Sequence, residues 1–335
     1  MRLSYVSLGL ISLLAACGGG GGGGTSATVG GTVTTPTPVA LDATNYVAAT
    51  TEAVSPSLAI LDATTTAVGV EAKDINEGIT FGLAQVPSLG KWFGGPSTAA
   101  GVVQTQSENC SGGGTITASV NDADNNGAVS TGDTATVTAN NCNDGSSTFN
   151  GSITFSIATL TGDISSDNYN ASLNATFNNF SASSAGRAVA VNGDLTLSAS
   201  GSGFNKRAQS ITASSLTSNA TFGGTTFSRG LTNFSATYAK DPNSPTSVFK
   251  TTSSVSGTVS SSALNNRTVI LATTTPFVRL STNAFPSIGQ GTLSGANASK
   301  VRLTAQNATT VLIELDANGD GTYETSTTKP WTELR

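Results

Sequence analysis

Residues 169–177 read Y-N-A-S-L-N-A-T-F, with an apolar side chain at every odd position and a polar one at every even position. A period of two places successive side chains on opposite faces of an extended strand. One face of this strand is then apolar, and the other carries only hydroxyls and amides. This pattern is typical of an antiparallel sheet that buries a single face.

The same alternation recurs through the chain after residue 115, and clusters of Gly, Asn and Asp separate the runs, with Gly193 among the expected turns. The clearest further runs are 153–157, 189–199, 234–238, 301–303 and 311–315. The pattern predicts roughly ten to thirteen strands. Because an open sheet of that width tends to curl or close, the predicted fold class is mainly β. We expect a large curled antiparallel sheet or a barrel-like β domain, with one or two short N-terminal helices.

The region before the strands is rich in alanine and lacks strict alternation. Asp42 is expected to cap a helix over residues 43–54, because a carboxylate can accept hydrogen bonds from the first free N–H groups. Pro56 is expected to end that helix, since proline has no N–H and disfavours helical backbone before it. A second, weaker helix is predicted over residues 57–68.

Composition excludes several function classes. The chain has 335 residues and no histidine, so it cannot build a Ser-His-Asp triad, a Cys-His pair or a His-ligated zinc or haem site. A net charge of −5 with scattered basic residues argues against nucleic acid as a partner. Six of the 20 acidic residues cluster in two loops and the others are scattered, so no pair of carboxylates for glycoside hydrolysis can be placed. The protein is therefore predicted not to be an enzyme.

The N-terminus carries a targeting signal, M-R-L-S-Y-V-S-L-G-L-I-S-L-L-A-A-C. Its apolar stretch, from Leu3 to Ala16, is too short to cross a bilayer of about 30 Å but suits the core of a signal peptide. The ending Leu14-Ala15-Ala16-Cys17 resembles the lipobox of bacterial lipoproteins. That resemblance implies that residues 1–16 are a signal peptide, and that Cys17 becomes the mature N-terminus and is acylated with chains such as palmitate. An ordinary secretory leader with an incidental cysteine is the alternative.

The lipobox resemblance also implies a location. Glycine follows Cys17, whereas an aspartate there would suggest inner-membrane retention, so we expect a lipid-anchored protein of the outer membrane, periplasmic or surface-exposed. Residues 17–40 are rich in Gly, Thr and Pro and are predicted to be a tether. Residues 41–100 are then a partly helical segment that packs on the sheet, and residues 101–335 form the β domain. The expected partner is the membrane, reached through the N-terminal lipid.

With Cys17 assigned to the lipid, two of the three cysteines remain. An exported compartment permits disulfide bonds, so Cys110 and Cys142 are predicted to form one. The alternative is two free thiols. The predicted bond brackets an acidic loop in the sequence, which suggests a segment that needs ordering.

That loop, residues 122–133, reads D-A-D-N-N-G-A-V-S-T-G-D. Oxygen donors fall at positions 1, 3, 5, 9 and 12, Gly127 at position 6 and apolar Val129 at position 8. The loop resembles the calcium loop of EF-hands and, more closely, the dockerin variant that ends in aspartate. The flanking helices of those families are absent, because residues 134–138 have a strand pattern, so only the ligands are carried over. The resemblance implies a calcium site formed by Asp122, Asp124, Asn126, Ser130, Asp133 and the main-chain carbonyl of Ala128.

A second acidic loop, residues 316–324, reads D-A-N-G-D-G-T-Y-E. Its candidate calcium ligands are Asp316, Asn318, Asp320 and Glu324. Position 12 is Thr327 rather than an acid, which weakens the site. For both loops a solvated turn without metal is the alternative, and here that turn would join a strand at 311–315 to one at 322–325.

The sequence thus predicts an envelope-anchored lipoprotein that acts as a non-enzymatic structural, adhesive or ligand-binding β module. The first alternative is a periplasmic carrier of a lipid or another apolar ligand, which requires an empty apolar cavity inside the sheet. A weaker alternative is a hydrolase of envelope polymers, which requires acids converging outside the two loops. The remaining acids, including Glu52, Glu71 and Glu314, are expected to be solvated or strand-edge charges.

Overall fold

The computed structural model describes residues 37–65, 103–163, 168–202, 207–242 and 248–334. Within them the chain forms one α-helix, α1 (Tyr46–Thr65), three short 3-10 helices and fourteen strands, which confirms the mainly β fold class. The strands are β1 (Val103–Asn109), β2 (Thr115–Asn121), β3 (Thr134–Asn143), β4 (Thr148–Asp163), β5 (Asn168–Ser184), β6 (Arg187–Ser202), β7 (Arg207–Phe222), β8 (Thr225–Pro242), β9 (Phe249–Ser261), β10 (Arg267–Leu280), β11 (Ile288–Ser294), β12 (Lys300–Ala305), β13 (Thr310–Asp316) and β14 (Thr325–Pro330). The leader, Cys17, Glu71 and the end of the second predicted helix lie outside the described residues.

All fourteen strands belong to one antiparallel sheet in which each strand pairs with the next along the chain. The two terminal strands are the edges, so the sheet is not closed, and of the two predicted forms the barrel-like one is not formed. The predicted strand count was at least one too low. The predicted strands start after residue 115. Strand β1 lies before that point, and its sequence V-Q-T-Q-S-E-N has no alternating apolar residues.

Most strands between the two edges of the sheet bury alternate side chains, as the sequence pattern predicted. In β3 the buried residues are Ala135, Val137, Ala139 and Cys142. Most buried apolar residues of β2 to β13 belong to one cluster with those of α1. The opposite face carries hydroxyl pairs across neighbouring strands, such as Thr136 with Thr154 at 3.0 Å. One face of the sheet therefore forms the core, and the other is a polar lattice of serine, threonine and asparagine.

Asp42 caps helix α1 as predicted, but the helix begins at Tyr46 and not at residue 43, and it does not end as predicted. The side chain of Asp42 accepts hydrogen bonds from the N–H groups of Thr44 (2.8 Å) and Asn45 (3.1 Å), which caps the helix. The predicted stop at Pro56 is wrong, because a single helix continues to Thr65. Burial of its first half against the core stabilises the helix beyond the loss of the one hydrogen bond that proline cannot donate. The described residues contain no helix with the length and hydrophobicity needed to span a membrane.

A buried ion pair fixes α1 on the sheet. The carboxylate of Glu52 accepts hydrogen bonds from the Arg229 guanidinium at 2.6 Å and from the Ser261 hydroxyl at 2.6 Å. Arg229 is only 8% exposed. The prediction of a solvated Glu52 is therefore wrong. Glu314 likewise forms a bidentate pair with Arg302, at 2.6 and 2.8 Å.

The chain contacts the sheet before α1 begins. Val39 donates its N–H to the carbonyl of Thr268 at 2.9 Å, and Leu41 is buried. The contacts of the folded chain thus start inside residues 17–40, the range predicted to be a tether.

Gly193, predicted as a turn, lies inside β6 with a φ of 117°. A Cβ atom at this position would lie 2.0 Å from the carbonyl oxygen of Ser215 on β7, so no larger residue fits. The neighbouring Asn192 side chain accepts the N–H of Asn179 at 2.7 Å, where β5 carries a bulge. The glycine thus marks a close approach of strands and not a chain reversal.

Candidate metal sites

Both acidic loops connect neighbouring strands, but at opposite ends of the sheet. The β2–β3 loop, residues 122–133, follows an even-numbered strand, and the β13–β14 loop, residues 316–324, follows an odd-numbered one. Since neighbouring strands are antiparallel throughout, these two kinds of connection emerge at opposite ends. The two loops are therefore separate sites.

The β2–β3 loop folds around the carboxylate of Asp122, which is 6% exposed. Its two oxygens accept hydrogen bonds from the N–H groups of Asn126 (3.2 Å) and Gly127 (2.8 Å). Burial acts to raise the pKa of Asp122, but hydrogen bonds from the N–H groups of Gly127, Asn125 and Asn126 and with Asp124 outweigh it. The pKa of Asp122 therefore lies below its usual range, and the group is a carboxylate at neutral pH.

The last residue of the β2–β3 loop, Asp133, contacts the second residue of the same loop, Ala123. Asp133 is fully buried and accepts the N–H of Ala123 at 2.8 Å. Its other oxygen accepts the N–H of Ser130 at 2.6 Å and the Ser130 hydroxyl at 3.1 Å. The same hydroxyl lies 3.1 Å from a carboxylate oxygen of Asp124. The predicted ligands Asp122, Asp124, Ser130 and Asp133 thus lie close together.

The carboxylates of Asp122, Asp124 and Asp133 each place an oxygen within 4.8 Å of the others. Calcium binds oxygen at about 2.4 Å, so two ligands on opposite sides of one ion lie about 4.8 Å apart. The spacing of the three acids is therefore compatible with a single calcium ion. None of the described lysine or arginine residues forms an ion pair with these acids, so a cation there would relieve their mutual repulsion.

The other two predicted ligands are the side chain of Asn126 and the carbonyl of Ala128. The side-chain oxygen of Asn126 accepts the N–H of Ala128 at 2.7 Å, and its amide donates to Asp124 at 2.9 Å. The carbonyl of Ala128 stays a predicted ligand. Val129 packs against the apolar core, as expected of the apolar eighth position.

Backbone hydrogen bonds to β4 hold the β2–β3 loop in place. Gly132 donates its N–H to the carbonyl of Ile157 at 2.8 Å, and the N–H of Ile157 donates to the carbonyl of Asp133 at 2.9 Å. The Thr131 hydroxyl accepts the N–H of Leu160 at 2.8 Å. The loop is thus an extension of the ladder between β3 and β4.

The β13–β14 loop repeats the arrangement around Asp316, which is 1% exposed. The two oxygens of Asp316 accept the N–H groups of Gly319 (2.7 Å) and Gly321 (3.0 Å). The side chain of Asn318 accepts the N–H of Asp320 at 2.8 Å. The N–H of Thr322 and then the side chain of Asn318 lower the pKa of Asp320.

Glu324 closes this second loop. Its carboxylate accepts the N–H of Ala317, the second residue, at 3.1 Å. Oxygens of Asp316, Asp320 and Glu324 lie within 4.8 Å of one another. The loop is therefore closed although position 12, Thr327, is not an acid. The side chain of Glu324, at position nine, accepts the N–H of the second loop residue, as Asp133 does at position 12 of the β2–β3 loop. The loop is also a hairpin connection, although β14 begins at Thr325 and not at the predicted residue 322.

The side chains that support this loop were not predicted from the sequence. The guanidinium of Arg302, on β12, lies 4.0 Å from the centre of the Tyr323 ring. Arg302 also pairs with Glu314, directly opposite on β13, and this hydrogen bond raises the pKa of Arg302. Arginine and glutamate at alternating outward positions of consecutive strands were the available signal, but using it requires the strand register.

The predicted disulfide between Cys110 and Cys142 is confirmed, with 5.4 Å between the Cα atoms. Cys110 precedes β2 and Cys142 lies near the end of β3, so the bond sits at the opposite end of this hairpin from the acidic loop. Strands rise about 3.4 Å per residue, so the length of β2 separates the two by about 24 Å. The disulfide therefore fixes the hairpin and does not contact the loop.

No protein-family model, curated protein or solved structure matches this chain. The lipidation site Cys17 lies outside the described residues and stays a prediction. The two loops are thus the parts of the described structure that offer a specific chemistry, namely clustered oxygen ligands for a hard cation.

Proposed function

We propose that this chain is a lipoprotein anchored to the bacterial outer membrane through Cys17, and that its β domain is a non-enzymatic structural, adhesive or ligand-binding module that binds calcium at two loops. The observation that carries the proposal is the repeated construction of the loops. In each, a buried aspartate collects N–H groups of the loop, and a later acid closes onto the second residue.

Calcium fits the donor set of both loops. It takes six to eight oxygen ligands in flexible geometry. The β2–β3 loop would hold it with Asp122, Asp124, Asp133 and Ser130, and the β13–β14 loop with the ligands Asp316, Asn318, Asp320 and Glu324. Bound calcium would offset two of the three carboxylate charges in each loop and stabilise the folded form by its binding energy.

The packing of the sheet supports a structural module over a carrier. The apolar face of the sheet is occupied by large buried side chains such as Phe155, Leu195 and Phe234. A packed face of this kind is expected of a structural module and not of a carrier with an empty interior.

Calcium titration tests the proposal. The full chain should bind two calcium ions by calorimetry, and its melting temperature should rise in calcium and fall in chelator. Asp133→Asn and Glu324→Gln should each remove one binding site, and the double variant both. Asp144→Asn is the matched control, because Asp144 accepts N–H groups of its own turn but lies outside the loops. Unchanged melting temperatures in calcium and chelator would contradict the calcium proposal.

Membrane attachment needs its own experiment. Cys17→Ala should abolish metabolic labelling with palmitate and release the chain from the membrane fraction. A chain that stays in the membrane fraction without the cysteine would contradict the lipid anchor. Lipid extracted in equal molar amount from the purified chain would favour the carrier alternative.

A further inference from the structure

The two edges of the sheet differ in how they are protected against pairing with another strand. Strand β14 ends in Lys329 and Pro330, and proline has no N–H to offer to a neighbour. Strand β1 contains no lysine and no proline. Its seven residues keep an unbroken register with β2, without a bulge, and Glu108 is its single charged side chain.

Strand β1 is also accessible. Six of its seven side chains are exposed, including Val103 at 59%. Within the described part of the chain, its strand partner is β2. A regular, weakly charged edge presents N–H and C=O groups on which another strand can pair.

We propose that β1 pairs with β1 of a second copy of this chain, antiparallel and with the two-fold axis at Gln106. The two sheets then join edge to edge through about six to eight backbone hydrogen bonds. An isologous contact of this kind uses the same edge of both copies and closes at a dimer. Pairing of β1 with the β14 edge would instead propagate into fibres, and Lys329 and Pro330 oppose it.

Charge selects the register. With the axis at Gln106, Glu108 lies opposite the partner's Gln104, a neutral amide. An axis at Glu108 would set two carboxylates directly opposite each other, which destabilises a strand pair. The axis at Gln106 also lets all seven residues pair, with Val103 opposite the partner's Asn109.

The hydroxyl rows of the outer face continue across this contact. Thr105 and Ser107 already lie 3.2 and 3.1 Å from the hydroxyls of Ser119 and Thr117 on β2. In the proposed register Thr105 lies opposite the partner's Ser107. The row Ser119, Thr105, the partner's Ser107 and the partner's Thr117 is then continuous, and hydroxyl pairs of this type stabilise antiparallel strands.

A single-cysteine scan of β1 tests the register. Gln104→Cys, Thr105→Cys, Gln106→Cys and Thr328→Cys on β14 are each made in the full chain carrying Cys17→Ser, so that no other free thiol remains. Under mild oxidation, Gln106→Cys should form a disulfide-linked dimer several-fold more than the other three, because only that residue faces itself. Maximal cross-linking at residue 104 or 105, or none above that of Thr328→Cys, would overturn the proposed pairing.

Sedimentation velocity tests the association without a cross-link. The full chain should form a dimer as its concentration rises, and Gln106→Lys should weaken it about tenfold by setting two like charges opposite each other. Thr328→Lys, the matched change on β14, should leave the dimer intact. A chain that stays monomeric, or a dimer that Thr328→Lys breaks and Gln106→Lys does not, would overturn the proposal. Unchanged unfolding curves for both variants would show that they fold.

Discussion

The two acidic loops reach one hydrogen-bond scheme from different sequences. In both, the first aspartate accepts the N–H of the sixth residue, Gly127 or Gly321. In both, the closing acid accepts the N–H of the second residue, at 2.8 Å in the β2–β3 loop and 3.1 Å in the β13–β14 loop. The closing acid is the twelfth residue of one loop and the ninth of the other. The difference shows that the reach of the carboxylate, and not its position count, closes such a loop.

The loops differ in what holds them. Backbone hydrogen bonds to β4 support the β2–β3 loop, and a disulfide fixes the far end of its hairpin. Side chains support the β13–β14 loop, through the Arg302 guanidinium over the Tyr323 ring. The strand that follows it leads to Trp331, which is buried and stacks on Phe285 with ring centres 6.2 Å apart. The β2–β3 region, supported by backbone hydrogen bonds and a disulfide, and the β13–β14 region, supported by side chains, should therefore be destabilised by different substitutions.

Removal of the disulfide should have the largest effect on stability, and its local effect should fall on the β2–β3 hairpin. The bond joins residues 32 apart, and the chain-entropy model gives about 3.5 kcal/mol of stabilisation for a loop of this size. Cys110→Ser with Cys142→Ser should lower the free energy of unfolding by that amount in a urea titration. Amide exchange should accelerate more in the β2–β3 hairpin than in the β13–β14 loop. Equal acceleration in both loops would contradict the difference in support.

Removal of the first aspartate should affect both loops alike. Asp122→Ala and Asp316→Ala each leave two N–H groups without their acceptor, which should cost about 2 kcal/mol of unfolding free energy. Asp122→Asn and Asp316→Asn keep one acceptor oxygen and should cost less. Urea unfolding in the presence of chelator measures all four variants. A neutral result for one alanine variant and a large one for the other would show that the two schemes are not equivalent.

The sequence predicts the sheet because alternation fixes which face of a strand is buried. It does not reveal β1, whose residues show no alternation, because an edge strand buries few side chains. The asparagine bulges at Asn141 and Asn179 were also missed. Each has a φ of 47° and donates its N–H to an asparagine on the next strand, Asn150 or Asn192. These contacts depend on the register between strands, which a local pattern does not contain.

The candidate metal ligands were predictable and their interactions were not. Ligand spacing identified the acids of both loops, because a loop closed around one ion needs oxygens at regular intervals. Spacing does not show that Glu324 reaches the N–H of Ala317, since that depends on the path of the loop. The burial of Glu52 against Arg229 was likewise hidden, because residues so distant in sequence meet only in the folded chain. The error at Pro56 has the same origin, since core packing outweighs local propensity there.

Shortening Glu324 tests whether the length of its side chain allows the carboxylate to close the β13–β14 loop. Glu324→Asp removes one methylene group and should lose the hydrogen bond to Ala317, at a cost of about 1 kcal/mol in unfolding free energy. The affinity of that loop for calcium should fall, and the β2–β3 loop should bind as before. Glu333→Asp, which alters an exposed pair with Lys329, is the control and should have little effect. Unchanged stability in Glu324→Asp would show that the closing contact is dispensable.

The ring of Tyr323 should contribute the smallest effect, and only in the β13–β14 loop. A cation over an aromatic face at an exposed site contributes about 0.5–1 kcal/mol, and the Arg302 side chain is 34% exposed. Tyr323→Leu should therefore lower the unfolding free energy by about 0.5 kcal/mol, whereas Tyr323→Phe keeps the ring and should match the parent chain. The effect of Tyr323→Leu should vanish in a background of Arg302→Gln, because the partner is then already absent. If Tyr323→Phe costs as much as Tyr323→Leu, the phenol hydroxyl and not the ring supports the loop, and the side-chain support assigned to this region is wrong.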